Sequence, residues 1–262
     1  MLLIFCVGMA SEATAAGHLE QKLAVRLEPE THRLTAETTM TLTGDRSKWP
    51  ELFLLAPQAR IGTVVADGQP LAFDFSHGRL RVPDTAGRSV LTISYTVVFD
   101  DPVPRELVGI EDPSYGIRAT IMPQGTYISA ASGWYPNAVD VPQSFTITIT
   151  GPQDMTGVTS GRLANFTRTA AGTVTTWQTV LQPTAMSLAA GRYQLRRESL
   201  GDIQLLAFLG ESNVPLAAGY LESVREYLSL YQELFGPYPY EKFAVVENLY
   251  PTGYGLPGWT LL

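Results

Sequence analysis

Residues 22–42, KLAVRLEPETHRLTAETTMTL, decide how most of this chain folds. Leu23, Val25 and Leu27 alternate with Lys22, Arg26 and Glu28, the two-residue period of a strand with one face in a core. Pro29-Glu30-Thr31-His32 interrupts the run, and Leu34, Ala36, Thr38, Met40 and Leu42 restore it. Two alternating runs across a short polar break predict an antiparallel hairpin.

The same texture extends to about residue 198. Strand-like runs follow at 53–55, 61–65, 71–75, 80–82 and 90–99, and a second series at 145–150, 163–167, 174–181 and 193–198. Asp67-Gly68 and His77-Gly78 supply turn residues that tolerate positive φ, and Ser160-Gly161 and Ala171-Gly172 separate later strands. Many short strands with polar turns predict a mostly β unit over 17–198, an antiparallel sandwich or saddle without a long helix.

After Glu198 the pattern changes. Residues 203–209 form a near-continuous apolar strand, and a helix is predicted over 214–235, with Asn213 as its cap and Pro215 in its first turn. Leu216, Tyr220, Leu221, Val224, Leu228, Tyr231, Leu234 and Phe235 recur at helical spacing as one apolar stripe. Gly236-Pro237 stops the helix. A strand at 243–246, a Gly/Pro-rich loop and Trp259-Thr260-Leu261-Leu262, which reads as another strand, complete the segment. One amphipathic helix and a few strands over 199–262 bury only part of their apolar surface. The stripe therefore expects a further partner, and the chain is expected to be the front part of a longer protein.

Composition narrows the function classes. With 262 residues, 45% hydrophobic and 16% charged, the chain has material for a substantial core. A net charge of -7 without clustered Lys or Arg argues against nucleic acid. Residues 1–16 carry an apolar stretch from Leu2 to Ala10 and then Ala13-Thr14-Ala15, which fits signal-peptidase cleavage, so export to a periplasm or the exterior is expected. The apolar stretch is shorter than the roughly 20 residues of a transmembrane helix. Cys6 is the only cysteine and would leave with that segment, so no disulfide is expected.

Three further stretches carry a resemblance. Residues 134–142 read WYPNAVDVP, followed by FTITI at 145–149 and VTSGRL at 158–163; LFGPYPYEK occupies 234–242, and PTGYGLPG occupies 251–258. In this order they resemble the alanyl-aminopeptidase family of gluzincin zinc metallopeptidases: the end of its N-terminal β domain, the helix and turn that open its catalytic domain, and its G-x-M-E-N loop. The resemblance implies an N-terminal β domain over 17–198, the first elements of an α/β, thermolysin-like catalytic domain over 199–262, and zinc-dependent peptide hydrolysis in the complete protein.

Two departures matter. The resemblance sets Gly255 where the family has the Glu that pairs with a substrate's α-amino group, and Gly255 supplies no charge. The loop can still act through its backbone, since an exposed strand can hold an extended peptide by strand addition. Thr252, Gly253, Tyr254 and Gly255 are the candidate substrate-binding residues. Secondly, the family's zinc sits on H-E-x-x-H, two His one helical turn apart with a Glu as base. His18, His32 and His77 are the only histidines, all in the β region and none near another. Neither a zinc ligand nor a catalytic residue is therefore assigned, and the chain alone is expected to be inactive.

Other constellations read as structure. Asp74, Ser76 and His77 contain the letters of a triad on a hairpin end. Asp100-Asp101 and Glu111-Asp112 are acidic loop pairs, and Asn165-Phe166-Thr167 is a glycosylation sequon. Trp49, Trp134, Trp177 and Trp259 are scattered, as core residues are. Beside the metallopeptidase reading stand a non-catalytic secreted binding module and, on fold and Trp content alone, a carbohydrate-binding sandwich.

Overall fold

The computed structural model describes residues 17–45, 47, 49–103, 116–139, 141–179 and 186–262. The signal-like segment with Cys6, the Glu111-Asp112 pair and Asp140 lie outside the described residues.

The opening hairpin pairs His18–Glu28 with Arg33–Thr43 in the register Leu27↔Leu34. A 3-10 turn over Pro29–Thr31 joins them, and His32 closes it in the left-handed region at φ 51°. This hairpin lies at the centre of an eight-stranded sheet. Its order is Arg162–Thr169, Gly172–Thr179, Gln143–Gly151, His18–Glu28, Arg33–Thr43, Val90–Val98, Arg60–Ala66 and Gln69–Pro70. Only Gln143–Gly151 runs parallel to its neighbour His18–Glu28. Leu19, Leu23, Val25 and Leu27, with Met40, Ile147 and Trp177, are buried members of one core. Asp67 and His77 take φ of 47° and 48° in the predicted turns.

Two four-stranded sheets accompany the long one. One comprises Thr156–Thr159, Leu188–Gly191, Gly125–Ile128 and Ala119–Met122; the other comprises Asn137–Ala138, Leu52–Leu54, Arg79–Arg81 and Asp74–Ser76. The strand expected at 71–75 is thus confined to Asp74–Ser76, with Gln69–Pro70 pairing elsewhere. The first small sheet escaped sequence reading because three of its strands are buried at every position, which erases alternation. Its small residues allow close approach: a Cβ on Gly157 would stand 2.3 Å from Ile149 Cγ2.

The remaining sheet has the order Gln194–Leu200, Ile203–Leu209, Lys242–Val246, Trp259–Leu261 and Tyr254–Leu256. Its three middle strands are parallel, and such pairs need a crossover. The helix Ala217–Phe235 provides it between Ile203–Leu209 and Lys242–Val246, and residues 247–258 provide it for the second pair. Leu205, Ala207 and Leu209 pack on Ala217, Leu221 and Leu228 of the helix. From the other face, Leu206, Phe208, Ala244, Val246, Trp259 and Leu261 join the main β core. One apolar core therefore runs across the change in sequence character.

One helix expectation, its start and cap, needs correction. The α-helix begins at Ala217, after a 3-10 turn over Glu211–Leu216 that contains Asn213 and Pro215; no side chain caps it, so Asn213 is not its cap. The stripe is only half covered: Leu221 and Leu228 are buried, whereas Leu216, Tyr231, Leu234 and Phe235 are 52%, 51%, 61% and 81% exposed.

Candidate functional site

The loop 251–258 closes on itself as a hairpin. Pro257-Gly258, with Gly258 at φ 81°, turns the chain so that Leu256 faces Trp259, Gly255 faces Thr260 and Tyr254 faces Leu261. Residues flanking a two-residue turn exchange both ladder hydrogen bonds, so the next pair does not. Gly255 occupies that next position, and its N–H and C=O point away from Thr260 toward the open side of the strand. Tyr254–Leu256 is also the last strand of its sheet. Gly255 is exposed, and a Cβ there would meet nothing within 4 Å.

Of the four expected substrate-binding residues, Tyr254 and Gly255 lie on this edge, while Thr252 and Gly253 lead into it. The Thr252 hydroxyl accepts from Asn248 Nδ2 at 3.4 Å and donates to the Leu261 carbonyl at 3.4 Å. Thr260 Oγ1 donates to the Tyr254 carbonyl at 3.0 Å. These bonds hold the loop against its partner strand and leave the Gly255 backbone bare.

The N-terminal β unit reaches this hairpin. Tyr127, from the strand Gly125–Ile128, stacks on Tyr254 with ring centroids 5.7 Å apart and an 8° interplanar angle, and meets Tyr250 edge-on at 6.1 Å. Burial pushes the Tyr127 hydroxyl well above the ordinary tyrosine range, and the neighbouring Tyr254 and Tyr250 add to the shift. Below the hairpin, Lys242 is fully buried. Its Nζ lies 4.4 Å from the centroid of Trp177 and 5.7 Å from that of Trp259, and it donates to the Thr159 carbonyl. Burial pushes this amine well below the usual lysine range. Sequence reading gave neither residue a role in the site, since Lys242 follows a polar turn and Tyr127 is distant in sequence.

The histidines do not fit a zinc ion. His18 Nε2 pairs with Ser144 Oγ at 2.9 Å, His32 Nδ1 with the Ile121 carbonyl at 2.6 Å, and His77 sits in an exposed left-handed turn. Among the described residues, no group of three or more His, Cys, Asp or Glu side chains could hold a metal. Asp74 and Ser76 lie on an exposed strand that forms no triad with His77. All four Trp are buried, at 5% exposure or less, which removes the stacking platform the carbohydrate reading requires. No described helix is long and apolar enough to cross a membrane.

No protein-family model and no curated protein matches the chain. Solved structures do match. An M1 zinc metallopeptidase from Deinococcus radiodurans, in a variant bound to a Tyr-Ser-Ala substrate, is similar over 93% of this chain at 18% identity and a TM-score of 0.63. A two-domain M1 zinc metallopeptidase variant bound to L-tryptophan is similar over 93%, again at 18% identity, with a TM-score of 0.66. The chain therefore has the M1 metallopeptidase fold over nearly its whole length, and it spans 59% of the length of each of these structures.

Proposed function

We propose that this chain is the front part of an exported zinc metallopeptidase, and that its edge strand at Tyr254–Leu256 holds an extended peptide during hydrolysis by the complete protein. The outward N–H and C=O of Gly255, on the open edge of its sheet in a chain with the M1 metallopeptidase fold, carry the reading. A peptide laid along this edge gains main-chain hydrogen bonds, and its side chains alternate between the two faces of the strand. The zinc-bound water that attacks a peptide carbonyl would come from residues beyond this chain. The half-covered helix stripe, with a cleft of about 570 Å³ between Tyr231, Phe235 and Tyr238, is in keeping with such a continuation.

The first test is to purify the 262-residue chain and measure metal content and peptide turnover. The expected result is neither stoichiometric zinc nor turnover, with H-E-x-x-H encoded downstream of the Leu262 codon or in a neighbouring reading frame. Tightly held zinc with turnover in this chain would overturn the division of labour. N-terminal sequencing of exported protein tests the signal segment, with cleavage expected close to Ala15.

A second reading, a non-catalytic binding module, is favoured by the core that joins both units into one body. It expects a well-folded monomer or complex with one cooperative melt and no downstream zinc motif. Aggregation through the exposed helix stripe would count against it.

A further inference from the structure

We propose that Arg162–Thr169, the outermost strand of the long sheet, is a docking surface for an acidic extended segment of a partner protein, held by strand addition and by Arg168 and Arg197. This edge is separate from the Tyr254–Leu256 hairpin. It lies beside Gln194–Leu200, which opens the five-stranded sheet that Tyr254–Leu256 closes. Thr169 and Gly172 flank the two-residue turn Ala170-Ala171 and exchange both ladder bonds, as do Thr167 with Val174 and Asn165 with Thr176. The N–H and C=O of Phe166 and Arg168 therefore point outward, and among the described residues no other backbone group takes them up. Leu163, across a bulge on the same edge, shows what such groups accept. Its N–H donates to Gln204 Oε1 at 2.9 Å, and Gln204 Nε2 donates to its carbonyl at 3.1 Å. One side-chain amide thus stands where a further strand would run.

Charge beside the edge selects its occupant. Residues 155–197 contain five Arg and no Asp or Glu, in a chain of net charge -7. Arg168 and Arg197 lie over the Phe166 ring, 5.6 and 5.3 Å from its centroid. Arg168 is held there by Nη2, which donates to the Tyr193 carbonyl at 2.8 Å and to Thr156 Oγ1 at 3.2 Å. Among the described residues neither guanidinium has a carboxylate partner, and Glu198, the next acid along the chain, is taken by Arg225 of the helix. Two exposed cations fixed on one ring repel a second copy of the same edge and attract a strand that carries carboxylates. Phe166 and Arg168 share one face, so carboxylates two residues apart on an added strand would both reach the guanidinium pair.

The test titrates the ¹⁵N-labelled 262-residue chain with Ac-Thr-Glu-Val-Glu-Val-Thr-NH₂ and with the same peptide carrying Gln or Lys for each Glu. The Phe166 and Arg168 amides should shift with the Glu peptide. Its affinity at low salt should exceed that of the Lys peptide on the order of 10-fold, with Gln between them, and the gap should close as salt is added. Arg197→Gln should lower affinity for the Glu peptide about 2- to 5-fold while both amides still respond. Arg162→Gln removes an equal charge from the opposite face of the same strand and should leave that affinity unchanged. Equal loss in the two variants would mean attraction by net charge alone and overturns the proposal. So does binding of the Lys peptide as tightly as the Glu peptide, or the absence of any shift at Phe166 and Arg168, since the arginines then only guard the edge. Self-association of the chain without peptide, lost in Arg197→Gln, would put a second copy on this edge and overturn it as well.

Discussion

Lys242 Nζ lies 4.4 Å from the centroid of Trp177, joining the first parallel strand after the helix to the long sheet of the β unit. A second Trp, Trp259, closes the other side at 5.7 Å, and the Thr159 carbonyl takes a hydrogen bond from the same nitrogen. No carboxylate pairs with Lys242 among the described residues, and burial alone pushes its amine below the usual lysine range. A cation in such a place gains from the rings and one carbonyl and loses its water.

This arrangement predicts how stability follows pH. Between the depressed value of Lys242 and the ordinary 10.5, the unfolded chain binds a proton that the fold does not. The group's contribution is therefore complete above 10.5 and is lost as pH falls through that window. Burial raises Tyr95, Tyr127, Tyr193 and Tyr238 above the ordinary 10.0, so their contribution is present below pH 10 and lost as pH rises above it. Stability should rise with pH across that window and turn over near pH 10. In Lys242→Met the rise should flatten, with a gain of about 1–3 kcal/mol at pH 7. Thermal melts of both proteins from pH 7 to 10 check this; identical profiles would mean that Lys242 titrates like an exposed lysine.

The helix should show two kinds of position. Leu221→Ala removes a side chain buried against the strand Ile203–Leu209 and should cost about 2–4 kcal/mol. Phe235→Ser, at a residue 81% exposed, should change stability by less than about 0.5 kcal/mol and reduce self-association. Urea melts and sedimentation distinguish the pair. A large loss at Phe235 would mean that the outer stripe is covered.

Close approach makes a third contrast. An added methyl at Gly157 would run into Ile149, whereas at Gly253 it would meet nothing within 4 Å. Gly157→Ala should cost about 1–3 kcal/mol or more through overpacking, and Gly253→Ala should be close to neutral. Denaturation midpoints of the two variants suffice to test it.

The central strands of the long sheet were legible because one face meets the core and the other does not, so the hairpin around Pro29 follows from alternation alone. The helix was legible from its period, but its cap was not, since an Asn before Pro215 reads as a start whether the next turn is 3-10 or α. The sheet containing Val158, Ala189 and Ala190 was hidden because burial on both faces leaves no pattern. Lys242 was hidden for the opposite reason, a charged residue reading as surface until Trp177 and Trp259 close over it. The Gly/Pro loop could be singled out as a candidate peptide edge, but its stacking on Tyr127 links positions far apart in sequence and needs the tertiary structure.

The bare edge at Gly255 yields the last prediction. Its backbone does not take the left-handed conformation, and a Cβ would meet nothing within 4 Å, so neither strain nor space demands glycine there. Gly255→Glu should fold normally and add a carboxylate beside the outward N–H and C=O of the edge strand. A peptide with a free α-amino group would then gain a charge-assisted hydrogen bond, worth about 1.5–3 kcal/mol if well formed and less where water screens it. The parent chain should bind free-amine and N-acetylated peptides alike, and the variant should favour the free amine by roughly tenfold at low salt, fading as salt is added. Parallel titrations with both peptides measure this. Equal affinity in the variant would mean that a peptide on this edge does not bring its amino terminus to residue 255, and the edge would then bind the middle of a chain instead of its end.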